Sequence, residues 1–106
     1  MISQLEQSIR DDPKWIEGIE YGEPRRGHPE GKVRFHIDEV LNNVERLYGD
    51  SQMNEPLRII ALVHDSFKHF VDRSKSRDGE NHHGMIARRF AEKFTSDTAV
   101  LDVIEL

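Results

Sequence analysis

Several residues that could bind a metal ion fall where predicted helices would turn them toward the interior. His36 lies three residues after Val33, on the apolar stripe of its predicted helix. His64 and Asp65 directly follow the most hydrophobic run in the chain, and His83 begins the apolar spacing of a later helix. An imidazole or a carboxylate from each of three helices is therefore expected to point inward.

Metal coordination is the chemistry that these residue types favour. An unpaired carboxylate in an apolar setting is costly, and a metal ion with neutral imidazoles removes that cost. The chain has no cysteine, so nitrogen and oxygen must supply the ligands. Such ligands suit Mn, Fe, Zn, Mg, Co or Ni without distinguishing among them. An ion held this way lowers the pKa of a bound water and makes it a nucleophile. The alternative is that each inward histidine is a hydrogen-bonded core residue.

The order of these residues resembles the HD superfamily of metal-dependent phosphohydrolases. The segment His28-Pro29-Glu30-Gly31, followed by Val33 and His36, is similar to the opening of HD domains, including those attached to tRNA nucleotidyltransferases. Ala61-Leu62-Val63-His64-Asp65-Ser66-Phe67-Lys68 is similar to the apolar-apolar-His-Asp-x-x-Lys segment of the family. His83 with Ile86, Ala87 and Phe90 resembles the histidine-led helix that follows. The resemblance covers residues 27 to 106.

The resemblance implies roles for the residues that match. His36, His64 and Asp65 would be the metal ligands, and Asp65 and Lys68 would take part in catalysis. Lys68 would lie near the phosphate or orient the site, unless it is an ordinary solvated lysine.

Five further residues lie beside these motifs. His83, with the neighbouring His82, would bind a second metal or contact the phosphate. Arg25, Arg26 and Lys32 border the first motif and could meet an anionic substrate, although ordinary surface charge is the alternative for each.

One departure from the family pattern concerns a late aspartate that normally completes the metal site. Asp97 and Asp102 are the only late aspartates, and the role is carried over to neither. The chain also stops at Leu106 in mid-pattern. We therefore expect the chain to be the front part of a longer domain, incomplete at its C-terminus.

Length and charge limit the class of protein. The 106 residues are enough for one domain, and 15 basic against 20 acidic residues give a net charge of −5. We do not expect binding to extended nucleic acid, although a local basic patch could hold a small phosphate compound. No apolar run has the length of a membrane span and the opening residues do not form a signal peptide, so a cytoplasmic protein is expected.

Apolar periodicity and breaker residues predict an all-α bundle of about five helices in a single domain, residues 1–106. The predicted helices run from Ile2 to Arg10, from Glu30 or Lys32 to Tyr48 and from about Asn54 through the apolar run 57–63, then through Ile86, Phe90 and Phe94, and from Thr98 onward. Residues 18–31 are predicted to be an ordered loop anchored by Trp15, Ile19 and Tyr21, and residues 72–81 a charged loop.

Two functional classes follow, with a weaker third. The first is an enzyme that hydrolyses a phosphate mono- or diester of a nucleotide-like substrate. The second is a truncated or degenerate HD module that binds a metal, a nucleotide or a partner without turnover. An apolar stripe ending at Leu106 would favour a homo-oligomer through the last helix. The third is a plain helical domain whose histidines make core hydrogen bonds.

Overall fold

The computed structural model describes residues 2–24, 26 and 31–106. That part contains no strand and six α-helices: α1 (Gln4–Arg10), α2 (Pro13–Ile19), α3 (Val33–Tyr48), α4 (Asn54–Val63), α5 (His83–Ala91) and α6 (Thr98–Glu105). Short 3-10 turns lie at Lys68–Phe70 and Gly79–Asn81. The predicted all-α fold is confirmed.

Helix α2 is an element that the sequence reasoning missed. The predicted helices end at Arg10 and resume only at Glu30 or Lys32. Instead, the Asp12 carboxylate accepts a hydrogen bond from the Lys14 backbone N–H at 2.9 Å, and Pro13 occupies the first turn. Proline is favoured there because it has no N–H to leave unpaired and its φ is already helical. The same dipeptide therefore ends α1 and begins α2.

Side chains also cap α1, α5 and α6, whereas α3 and α4 begin without a side-chain cap hydrogen bond. The Ser3 hydroxyl accepts a hydrogen bond from the Glu6 backbone N–H at 3.1 Å and begins α1. Asp97 does the same for two backbone N–H groups of α6. Pro56 lies in the first turn of α4, where proline leaves no backbone N–H unpaired.

The hydrophobic core forms around α4. Its Ile59, Ala61, Leu62 and Val63 are all buried, as an apolar run with little polar face predicts. The neighbouring elements contribute the other buried apolar side chains: Ile9, Trp15, Ile37, Leu41, Phe67, Ala87, Phe90, Ala91, Val100, Leu101 and Ile104.

Two expectations about apolar stripes need correction. The helical spacing of Val40, Val44 and Leu47 places Leu47 on the apolar stripe of α3, but it is 62% exposed because the last turn of the helix runs past the core. In α6, the residues Val100, Leu101 and Ile104 pack in the core, whereas Val103 and Leu106 are exposed. Much of the stripe that motivated a homo-oligomer is thus covered within the chain, and the oligomer stays a prediction.

A buried ion pair joins α1 to α4. Glu6 is 1% exposed, and its two carboxylate oxygens accept hydrogen bonds from Arg58 Nε at 2.8 Å and Nη2 at 2.9 Å. Arg10 Nε donates to the same carboxylate at 2.9 Å. Burial of the carboxylate opposes ionisation, but the two guanidinium groups outweigh it and lower the pKa of Glu6. Helix α4 is therefore held in place by charge as well as by apolar packing.

Across the described ranges, none of the helices combines the length and the apolar character needed to cross a membrane.

Candidate functional site

The end of α4 sets the direction of the His64 ring. His64 is the C-cap residue, and its backbone N–H donates to the Ile60 carbonyl. Its ring Nδ1 also lies 3.2 Å from that carbonyl oxygen. Since a carbonyl can only accept, we assign the proton to Nδ1. The other ring nitrogen, Nε2, then faces Asp65 at 3.0 Å from Oδ2.

Buried contacts hold the turn that carries Asp65. The Trp15 indole N–H donates to the Leu62 carbonyl at 2.8 Å, and the buried Ser66 hydroxyl donates to the same oxygen. Gly18 of α2 approaches the Ser66 backbone carbonyl so closely that a Cβ would collide with it. Helix α2, which the sequence reasoning overlooked, thus supports the site directly.

The two oxygens of Asp65 face different partners. Oδ2, which faces His64, also lies 3.6 Å from Nε2 of His36 in α3. Oδ1 lies 3.6 Å from the Lys68 ammonium nitrogen. The structure therefore brings together the three predicted metal ligands, His36, His64 and Asp65, with Lys68 beside them.

The directions in which the pKa values of Asp65 and His64 are shifted agree with this arrangement. The hydrogen bond with His64 is the main cause that lowers the pKa of Asp65 to about 2, against an opposing effect of burial. The charges of Lys68 and His36 add to the lowering. In return, the hydrogen bond with Asp65 raises the pKa of His64, again against burial. When His64 is protonated, it forms an ion pair with the ionised Asp65.

The imidazoles are less buried than the apolar pattern predicts. The side chain of His36 is 42% exposed and that of His64 is 36% exposed, whereas that of Asp65 is 18% exposed. The expectation that these groups point into the core is corrected accordingly. They lie at its edge, because a stripe around a helix has flanks that reach the solvent. A ligand from solution can therefore reach them.

His82 and His83 lie beside Lys68 at the start of α5. Their rings stack with centroids 4.6 Å apart, and His82 Nδ1 accepts a hydrogen bond from the Gly84 N–H at 3.1 Å. Burial and the nearby positive charges of His82 and Lys68 lower the pKa of His83. Among the described residues, its buried Nδ1 has no hydrogen-bond partner. His83 therefore loses its proton more readily than a free imidazole does, and its Nδ1 is left for a ligand to contact.

A cavity of about 260 Å³ opens next to this cluster. Its lining includes the predicted residues Lys68, His82 and His83, together with Tyr21, Arg73 and Arg77. The sequence reasoning missed the last three as site residues. Their signal was weak: Tyr21 was interpreted as an apolar anchor, and both arginines belong to a loop recognised only as charged.

The predicted substrate residues are placed differently from one another. Lys32 forms an ion pair with Glu20 at 2.7 Å, which offsets its charge. Arg26 is exposed in a turn. Arg25 and the motif residues 27–30, including His28, lie outside the described residues. None of these observations places a predicted substrate residue next to Asp65.

The two late aspartates have other partners. Asp97 caps α6, and Asp102 Oδ1 binds Arg88 Nη1 at 2.6 Å on the surface. Both carboxylates are therefore engaged with other groups of the protein.

The donors at Asp65 are of the chemical types that bind divalent ions. Over residues 2–24, 26 and 31–106, no three or more His, Asp or Glu side chains form a complete metal-binding group. However, two atoms each about 2.1 Å from one ion, at octahedral to tetrahedral angles, lie about 3.0–3.4 Å apart. The separation of 3.0 Å from Asp65 Oδ2 to His64 Nε2 lies in that range, whereas the 3.6 Å to His36 Nε2 is slightly longer. In addition, the Nδ1 contact of His64 with a backbone carbonyl is the one that orients metal-binding histidines.

Comparison of the chain with family models, with curated proteins and with solved structures finds no match.

Proposed function

We propose that this chain is a metal-dependent phosphohydrolase that cleaves a phosphate mono- or diester of a nucleotide-like substrate. One observation carries the proposal: a single carboxylate oxygen, Asp65 Oδ2, lies 3.0 Å and 3.6 Å from imidazole nitrogens that come from two different helices. The resemblance of the motifs to the HD superfamily supports the same activity. A cytoplasmic location belongs to the proposal and is in keeping with a chain that has no cysteine.

His36, His64 and Asp65 would hold the metal ion. When bound, a divalent ion supplies a water of lowered pKa and offsets negative charge on phosphoryl oxygens. His64 must lose its Nε2 proton to become a ligand. The hydrogen bond with Asp65 raises the pKa of His64 and so opposes that loss. Ion affinity should consequently fall as the pH is lowered through the pKa of His64.

Lys68 would act on the substrate from the other side of Asp65. In the hydrolysis, a bond from phosphorus to a water oxygen forms, the bond from phosphorus to the ester oxygen breaks, and the proton that the water gives up ends on the departing oxygen. Lys68 Nζ lies 3.6 Å from Asp65 Oδ1, so its positive charge is close to where phosphoryl oxygens would lie. Such a charge stabilises the negative charge that develops in the transition state.

Metal titration with matched histidine variants tests the proposal. Wild-type protein should bind Mn²⁺ or Zn²⁺ in calorimetry, whereas His64→Gln and Asp65→Asn should each lose about 100-fold or more in affinity. His69→Gln is the control, because His69 is exposed and binds Glu17 at 3.1 Å instead of Asp65. The rate of hydrolysis of a chromogenic phosphodiester should fall in His64→Gln and Asp65→Asn and stay at the wild-type level in His69→Gln. Equal effects of His64→Gln and His69→Gln, or no ion binding by the wild type, would refute it.

A non-catalytic module that binds metal, nucleotide or a partner is the second candidate. The observation in its favour is that Asp97 and Asp102 are engaged in a helix cap and a surface ion pair. Under this alternative, His64→Gln would still abolish ion binding, but the wild-type protein loaded with each metal in turn would hydrolyse neither phosphomonoesters nor phosphodiesters.

A further inference from the structure

We propose that the cavity beside Asp65 is an oxyanion site that binds a phosphate group without a metal ion. Its main determinants are Arg73 and Arg77, with Tyr21 and Lys68 on the adjacent walls. The inference deepens the proposed function, since the same cavity would seat an anionic group of the substrate. The site itself does not require the metal.

The charge of the lining points to an anion. Three of its side chains carry a permanent positive charge, and none of its described members is an aspartate or glutamate. Asp65 partly offsets the charge of Lys68, but neither arginine has a carboxylate partner among the described ion pairs. Arg73 instead donates from Nη2 to the Tyr21 hydroxyl at 2.6 Å. Its partner is neutral, so the full charge of the guanidinium remains available to a ligand.

The loop that carries the arginines is fixed by Asn81. The Asn81 side chain accepts a hydrogen bond from the Asp72 N–H and donates to the Asp72 and Ser76 carbonyls, each at 2.8 Å. These bonds join the two ends of the loop and hold the intervening residues 73–77 against the cavity. A guanidinium that is positioned before binding loses less conformational entropy when it binds a phosphate.

The size of the cavity limits what it can hold. Pockets for whole small molecules have volumes of about 300–1,000 Å³, whereas this one has about 260 Å³. It is therefore large enough for a phosphate or diphosphate group. Lys68 belongs both to the cavity and to the surroundings of Asp65. A substrate with two anionic groups could place one in the cavity and the other at Asp65.

Phosphate titration of metal-free protein tests the site. The protein is stripped of metal and titrated with inorganic phosphate at constant ionic strength, with binding followed by backbone amide NMR shifts, and potassium acetate serves as the control anion. Arg73→Gln and Arg77→Gln should each weaken phosphate binding about five- to tenfold. Lys75→Gln is the matched control, because Lys75 lies on the same loop with its side chain 74% exposed and outside the cavity lining.

Two additional variants separate this inference from the metal proposal. Asn81→Ala should weaken phosphate binding although it removes no charge. Asp65→Asn should abolish ion binding but leave phosphate binding at least as strong. Equal loss in Lys75→Gln and Arg77→Gln, or acetate binding as tight as phosphate, would overturn the oxyanion site. A wild-type protein that binds no phosphate would also overturn the oxyanion site, even if that protein still bound the metal ion.

Discussion

Replacement of Glu6 by Gln should destabilise the protein in a way that depends on pH. Gln has nearly the same volume as Glu, but it removes the charge that faces Arg58 and Arg10. Three hydrogen bonds to guanidinium groups, at 2.8–2.9 Å, are lost or weakened in a residue that is 1% exposed. Helix α4, whose end carries His64 and Asp65, would lose its ionic connection to α1.

The expected size of the loss follows from the partners that remain. Removal of one member of a buried ion pair costs about 3–5 kcal/mol. Arg58 keeps its contact with Glu45 at 2.7 Å, and that carboxylate is half exposed, so the arginine is not left without a counter-charge. We therefore expect the free energy of unfolding to fall by about 2–3 kcal/mol, or roughly 8–12 °C in melting temperature for a domain of this size.

The pH dependence distinguishes this explanation from a packing defect. The pKa of Glu6 is lowered from 4.5 in the folded protein, so the ion pair stabilises the protein above pH 4.5. That stability is lost as the pH falls through the folded pKa. Wild type and Glu6→Gln should consequently differ most near neutral pH and converge in acid. Urea denaturation followed by circular dichroism measures the free energy of unfolding of both proteins at each pH. Glu39→Gln, on the exposed face of α3, is the control. A difference that does not change with pH, or equal loss in the control, would refute the reasoning.

Three further substitutions test the support of the site. Trp15→Phe should cost about 1–2 kcal/mol because the indole N–H bond to the carbonyl at the end of α4 is lost; the loss should appear in urea denaturation, and no loss would contradict the role of that bond. Phe67→Leu should cost about 1–3 kcal/mol, since Phe67 is 0% exposed, whereas Phe35→Leu, at 43% exposed, should cost less than about 0.5 kcal/mol; equal losses in thermal melts would count against the buried position. Gly18→Ala should cost about 2–3 kcal/mol and weaken Mn²⁺ binding, because the new methyl group would displace the Ser66 carbonyl; unchanged calorimetric affinity and melting temperature would show that α2 does not position Asp65.

Helical structure was the part most accessible from sequence, because it depends on local signals. The caps at Ser3 and Asp97 and the apolar run of α4 lie within a few residues of the elements that they define. Helix α2 was missed for a local reason as well. Asp12-Pro13 can end one helix and begin another, and only the second role requires the following residues to pack on the core.

The candidate site was predictable in its central residues and not in its surroundings. His36, His64 and Asp65 could be singled out because metal-binding residue types occupied inward helical positions. Arg73 and Arg77 could not, because a charged loop in a sequence does not reveal which of its side chains face a cavity. Their position depends on Asn81, which joins residues that are nine positions apart.

The sequence by itself determined five of the six helices described, the residues available to bind a metal, and the absence of thiol ligands, since these follow from local periodicity and residue type. Only the tertiary structure decided that Asp65 directs one oxygen to two imidazoles and the other to Lys68. It also decided that Trp15 and Gly18 support that turn, and that two loop arginines line the adjacent cavity. These features join residues separated by up to 52 positions in the chain. Such contacts depend on how the helices pack against one another, and no spacing along the sequence specifies that packing.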